Sequence, residues 1–107
     1  MTLIVNNAAV PSGTKPVSIR VNIPWFLRHL AGGVETVLVE GSTAGECLEH
    51  LTKQFPALRD RLFDTKTGKL LYSVDIYVNR ESSYPELLDR PAADGDEIDI
   101  MFIIAGG

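Results

Sequence analysis

One cysteine, Cys47, leaves no partner for an internal disulfide, so this chain of 107 residues must hold its fold by packing, as suits a reducing cytosol. Basic residues are also scarce. Ten Lys and Arg stand against fourteen Asp and Glu, a net charge of -4, which excludes the cationic footprint that phosphate-backbone binding needs. A basic protein surface is the expected partner instead. No apolar run reaches the length of a membrane span. The opening MTLIVNNAAVPSGTKP carries only a short apolar run without a basic stretch, so a secretory signal is not expected and the chain reads as cytoplasmic. The glycines form neither G-x-G-x-x-G nor G-x-x-x-x-G-K-[ST], so no phosphate-cradling loop is present.

Other marks of an active site are missing too. His29 and His50 fall in no metal-ligand or nucleophile pattern, and a ligand set needs clustered donors. DGDEID has acidic residues around a glycine, but its spacing departs from a calcium loop and a strand follows at once, so it reads as a turn. Cys47 lies on the apolar stripe of a helix and is expected to act as a small buried hydrophobe. No metal site and no catalytic group are expected. The chain does not read as an enzyme.

With 45% hydrophobic residues, the sequence supports one compact domain. Residues 1–16, rich in Asn, Ala, Ser, Gly and Pro beyond Asn6, read as a flexible leader outside the fold. VSIRVNIP alternates, with Val17, Ile19, Val21 and Ile23 on one face, predicting a half-buried strand. Pro24 ends it, WFLRHL is expected to pack as a short apolar turn, and Gly32-Gly33 reverse the chain into a second strand, VETVLVEG. Thr43 and Glu46 fit a capping box, and Ala44, Cys47, Leu48, Leu51 and Phe55 recur at helical spacing. Glu46 with His50, and Glu49 with Lys53, are expected to face each other on the solvated side. Pro56 ends the helix, ALRDRLFD adds a short helical turn, and SVDIYVN is a third strand with Val74, Ile76 and Val78 inward. Asp94-Gly95-Asp96 then turn into EIDIMFII, whose Ile98, Ile100, Phe102 and Ile104 share a face. The expected architecture is α+β, a mixed sheet of about four to five strands with one main helix across one face. The domain spans residues 17–104 and is followed by a flexible tail, residues 105–107.

That tail is the most informative element. Ala105-Gly106-Gly107 can reach at most about 10 Å, and glycines lacking Cβ can thread a slot too narrow for side chains. Around its exit, the outward positions Tyr77, Met101 and Ile103, with Leu38 as a neighbour, are expected to form an apolar partner-docking patch.

Taken together, IPWFLRHLAGG, GSTAGECLEHLTKQFPALRDRLFD, DIYVN, DGDEIDI and the closing AGG resemble the ThiS/MoaD family of ubiquitin-like sulfur carriers, over about residues 17–107. Within it, IP with LR, the double glycine, RLFD followed by GKL, and DIYVN look most like CysO-type carriers of cysteine synthesis. SSYPELLDRP and MFII depart from those carriers. The resemblance implies a β-grasp fold, in which the first and last strands pair in parallel at the centre of the sheet. It also implies that Gly107 is the residue whose carboxyl is activated, with Gly106 and Ala105 as its flexible neighbours. No cofactor would be bound. A ubiquitin-activating-like adenylyltransferase would use ATP to prepare a C-terminal thiocarboxylate. The sulfur would pass to a cysteine-synthase-like enzyme or, in the alternative, to the large subunit of molybdopterin synthase. A further alternative is a ubiquitin-like modifier ending in an isopeptide bond. The free carrier is expected to be a monomer, with no nucleic-acid or membrane partner.

Overall fold

The structure, a computed structural model, describes the backbone of Thr2–Ile4 and all of residues 18–103. Strict alternation in the sequence becomes alternation in burial. In β2 (Ile19–Asn22), Ile19 and Val21 are fully buried while Arg20 is exposed. β3 (Thr36–Val39), β4 (Val74–Val78) and β6 (Glu97–Phe102) bury Val37 and Val39, Val74, Ile76 and Val78, and Ile98 and Ile100 in the same way. Two short strands extend the sheet at its edges: β1 (Thr2–Ile4) and β5 (Glu81–Ser82). The order is β1-β3-β2-β6-β4-β5. At its centre β2 and β6 run parallel, with Val21 opposite Ile98, and antiparallel partners flank them on both sides. This is the mixed sheet expected, with the parallel central pair that defines the β-grasp fold.

The segment expected to lie outside the domain contributes to it. Thr2–Ile4 pair in parallel with Thr36, Val37 and Leu38 of β3. Composition identifies polar, Pro- and Gly-rich chain but carries no signal for pairing to a distant edge. Val17 and Ile104, expected inward, lie outside the described residues, as does the tail, residues 105–107.

The apolar face of the sheet is covered by α1 (Ala44–Gln54), whose Ala44, Cys47, Leu48 and Leu51 are fully buried. Its N-terminus is capped by Thr43 Oγ1, which accepts from Glu46 N–H at 3.1 Å. The returning half of the capping box is displaced by one residue. Glu46 Oε1 accepts from the N–H and hydroxyl of Ser42, each at 2.7 Å, and these bonds hold its carboxyl below the usual carboxylate range. Gly41 lets the chain pass close to the helix, since a Cβ there would stand 2.8 Å from Cys47 Sγ and 2.9 Å from its backbone nitrogen. His50 Nδ1 bonds to Glu40 O. Glu49, expected to face Lys53, pairs instead with Arg59 at 3.5 Å, across to α2 (Arg59–Leu62). Leu58 and Leu62 close the core beneath it.

Candidate functional site

The tail leaves the sheet from the end of β6. The residue that follows β6, Ile103, donates its N–H to Ser73 O at 2.7 Å, beside the pairing of Val74 with Phe102. Because β2 and β6 are parallel, the segment that follows β2 emerges at this same end. Pro24 turns it out of the sheet, and residues 25–30 form one short 3-10 helix of which Leu27 is the buried anchor. Arg28 Nε donates to Ile23 O at 3.1 Å, and Gly33 N–H to Arg28 O at 2.7 Å, closing the turn over Gly32 and Gly33 at φ +68° and +82°.

That turn does not bury its aromatic residues. Trp25 is 77% exposed and Phe26 42%. Phe26 packs edge-on against Phe102, ring centroids 5.2 Å apart and planes at 70°, and Trp25 packs edge-on against Phe26 at 5.6 Å and 82°. These are favoured geometries for aromatic pairs, worth about 0.5–1.5 kcal/mol each. A ladder of rings therefore rises from the last residues of β6 into solvent. Met101 and Ile103 stand on the outer face of the same strand, and Tyr72, almost wholly exposed, precedes the Ser73 that holds Ile103. Large exposed apolar groups of the described chain thus gather where the tail departs, as in a contact surface awaiting a partner.

Of the four patch residues expected from sequence, Met101 and Ile103 are here and exposed. Tyr77 is half-buried and sits diagonally from Met101, since Tyr77 pairs with Asp99 and Asp75 with Met101. Leu38 is not brought to them. It lies opposite Arg20, which pairs in turn with Glu97 at the far end of β6. A polar network stands between: Asn22 Nδ2 donates to Glu97 Oε2 at 2.9 Å and to Asp99 Oδ1 at 2.7 Å, and Thr36 Oγ1 donates to Asn22 Oδ1 at 2.8 Å. Trp25, Phe26 and Tyr72 are the members that sequence reading missed. The available signal was two adjacent aromatics after a strand-ending proline, too many large rings for one short turn to bury.

The electrostatics of this face are anionic. Asp75, opposite Met101, and Asp99, next to Met101 on the same face of β6, border the apolar residues, Asp75 accepting from Ser82 Oγ at 3.4 Å. On the helical side of the molecule, a groove of about 450 Å³ runs between the first turns of α1 and the α2 segment, lined among others by Gly45, Glu49, Arg59, Phe63 and Leu88. It is remote from the C-terminal end of β6, because α1 starts beside the end of β3 that pairs with Ile19. Among the described residues no group of three or more His, Cys, Asp and Glu side chains is placed to hold a metal ion, and no helix is long and apolar enough to cross a membrane. Cys47 is buried, and burial pushes its thiol up to about 12. Gly107, Gly106 and Ala105, the expected activation site and tether, lie outside the described residues.

The ThiS family matches residues 21–107. Among solved structures, the fold superimposes on CysO from Mycobacterium tuberculosis with a TM-score of 0.73 at 34% identity, over 80% of this chain and 99% of that one. The Amycolatopsis orientalis BexX/CysO complex holds a chain matching at a TM-score of 0.74 and 30% identity, over 83% of this chain and 99% of that one. SAMP1 from Haloferax volcanii follows at 0.72 and 29%, over 84% and 99%. A comparison with curated proteins finds no match. The family match covers most of the chain, and both CysO likenesses reach 30% identity over nearly the whole of their chains, so the protein belongs to the ThiS family of ubiquitin-like sulfur carriers.

Proposed function

We propose that the protein is a cytoplasmic sulfur carrier that works through the carboxylate of Gly107 and supplies sulfur for cysteine biosynthesis. The observation that carries this reading is the 34% identity to a CysO over 99% of that chain, joined to the Gly-Gly that ends the sequence. A carboxylate resists nucleophiles because its charge is delocalised and oxide is a poor leaving group. A partner of the ubiquitin-activating type would let a Gly107 carboxylate oxygen attack the α-phosphorus of ATP, releasing pyrophosphate and leaving an acyl-adenylate. Hydrosulfide then attacks the carbonyl carbon, AMP departs with the bridging oxygen, and a thiocarboxylate remains.

The chain supplies a handle and a surface for this chemistry. The short tail carries the carboxyl into the partner's closed site, where water is excluded. The aromatic ladder of Trp25, Phe26 and Phe102, with Met101 and Ile103, is the surface on which that partner would seat. Its anionic border calls for an apolar centre and a basic rim on the other side. One relative, the CysO of A. orientalis, is seen in complex with BexX, which supports a docking role for this class of fold.

In the receiving enzyme, the thiocarboxylate sulfur attacks the β-carbon left when an activated serine loses its phosphate or acetate. The resulting thioester passes its acyl group to the amine, leaving cysteine on Gly107 through an amide that a protease must cut. Thiocarboxylated protein incubated with cell extract and an activated serine, under a chelator that blocks metalloproteases, should gain only the aminoacrylate skeleton of the serine, since its sulfur is already in place. It should then weigh one cysteine residue more than the plain carboxylate form. Sulfur loss without an adduct, dependent on a molybdopterin precursor, would replace this pathway with that of a molybdopterin synthase small subunit. The likeness to SAMP1, named a small archaeal modifier protein, favours a second reading. Ligation of Gly107 to lysines of other proteins under ATP would establish it.

A further inference from the structure

The two edges of the sheet are protected in different ways. At one, β5 is only Glu81–Ser82, preceded by Asn79 and Arg80 at φ +51° and +69°, and Glu81 is engaged by Arg90 at 3.3 Å. Short length, charge and a sharp turn are ordinary defences of an edge strand. At the other, β3 reads Thr-Val-Leu-Val, four good strand formers without Pro, Lys or bulge. Ile23 N–H donates to Glu35 O at 2.8 Å, so the backbone groups of Glu35, Val37 and Val39 face β2. By alternation, those of Thr36 and Leu38 face the opposite way. Beyond Val39 the edge ends, because Glu40 O is taken by His50. What covers the groups of Thr36 and Leu38 is Thr2–Ile4.

This edge is self-complementary. Two copies of β3 laid antiparallel about Val37 set Thr36 of one opposite Leu38 of the other, and each pair exchanges both N–H to C=O bonds. Val37 meets Val37 on the buried face. Glu35 then falls opposite Val39 instead of another acid, so no like charges face each other in the ladder. We infer that the edge of β3 is a pairing surface for a second copy of this chain and that Thr2–Ile4 hold it closed. The net charge of -4 on each copy opposes the pairing, which should therefore tighten with salt.

The test uses the full chain carrying Thr2→Pro, Leu3→Pro and Ile4→Pro together, which keeps its length but cannot complete a ladder. Sedimentation equilibrium over a concentration series should give the monomer mass for the unaltered chain. For the variant it should rise toward twice that mass, more so at high salt. Adding Leu38→Pro should return the monomer, since the Leu38 N–H faces the open edge and its loss leaves the β2–β3 ladder intact. A folded triple variant that stays monomeric at every concentration overturns the inference. So does a dimer that survives Leu38→Pro. Should the triple variant lose its fold, the unaltered chain decides by hydrogen exchange. The Leu38 amide should exchange about 100-fold more slowly than an exposed amide, and free exchange would show that nothing guards the edge.

Discussion

Trp25→Ala separates recognition from folding more cleanly than any other single change. With 77% of its surface exposed and one edge-on contact to Phe26, Trp25 contributes little burial, and its loss should lower stability by about 0.5–1.5 kcal/mol. Buried in an interface, the same ring would be an anchor, and truncating such residues costs about 2–4 kcal/mol of binding, or roughly 30- to 1,000-fold in Kd. Phe26→Ala gives the contrasting case. Phe26 is more than half buried and touches both Trp25 and Phe102, so it should lose about 2–3 kcal/mol of stability as well as affinity. Urea denaturation measures the first quantity, and calorimetric titration with the activating enzyme the second. ATP–pyrophosphate exchange at low carrier concentration should fall with affinity and recover when carrier saturates. Trp25→Ala with native stability and unaltered affinity would refute the docking role of the ladder. Loss of several kcal/mol of stability would show that the ring is structural.

Met101→Asp and Ile103→Asp should leave circular dichroism native and weaken the same titration, because both side chains are exposed on the outer face and an interface would strand their charge. Removing Gly107 should abolish ATP–pyrophosphate exchange and leave the thermal midpoint unchanged, and exchange by the truncated chain would exclude the terminal carboxyl as the activated group. Leu51→Ala, at a fully buried position on α1, should cost about 2–5 kcal/mol in urea denaturation. Gly41→Ala should cost about 1–3 kcal/mol by the same measure, since its Cβ meets backbone as well as Sγ. The Cys47 thiol, raised from 9.0 to about 12 in the fold, binds its proton more tightly there than in the unfolded chain. Its contribution is complete below pH 9 and is lost as pH rises toward 12, at about 1.4 kcal/mol per pH unit. Denaturation of the chain and of Cys47→Ala at rising pH should converge by that slope.

Elements whose signal is periodic were legible from sequence. Alternation at Ile19 and Val21, and helical spacing at Cys47, Leu48 and Leu51, report which face of an element is buried, and those residues form the core. The site was harder to read because it depends on which strands are neighbours. Leu38 and Met101 both point outward, as alternation implies, yet the order β3-β2-β6-β4 sets them on opposite sides of the Asn22 network. No local pattern encodes that separation. Trp25 and Phe26 were misread for a different reason. A run of apolar residues is expected to pack, but a six-residue 3-10 helix has a single buried position, Leu27, and turns its other rings elsewhere. Thr2–Ile4 escaped because a three-residue strand is defined by its partner, not by its composition.

The parallel pairing of β2 with β6 explains why the turn after β2 carries its exposed rings, Trp25 and Phe26, to the end of β6. β4, the antiparallel neighbour of β6, sends its continuation to the opposite side and brings only the residues that precede it, Tyr72 and Ser73, to this end. The parallel neighbour β2 instead sends its continuation to the side on which β6 ends. Residues 24–26 are therefore carried beside residues 101–103 by the register of Val21 with Ile98 and Asn22 with Asp99. The side chains that set this register on the outer face are polar and tied together through Asn22, while those on the inner face belong to the core. Shifting the register by one residue would exchange the two faces at once. The tail root can thus vary its rings without loosening the sheet that aims them. Asn22→Leu, which removes both donations to Glu97 and Asp99 and leaves the two carboxylates without them, should accordingly destabilise the domain by about 1–3 kcal/mol in urea denaturation. Trp25→Ala in the same background should add only its own small increment. Strong coupling between the two changes would mean that the aromatic ladder helps to hold the central pair in register.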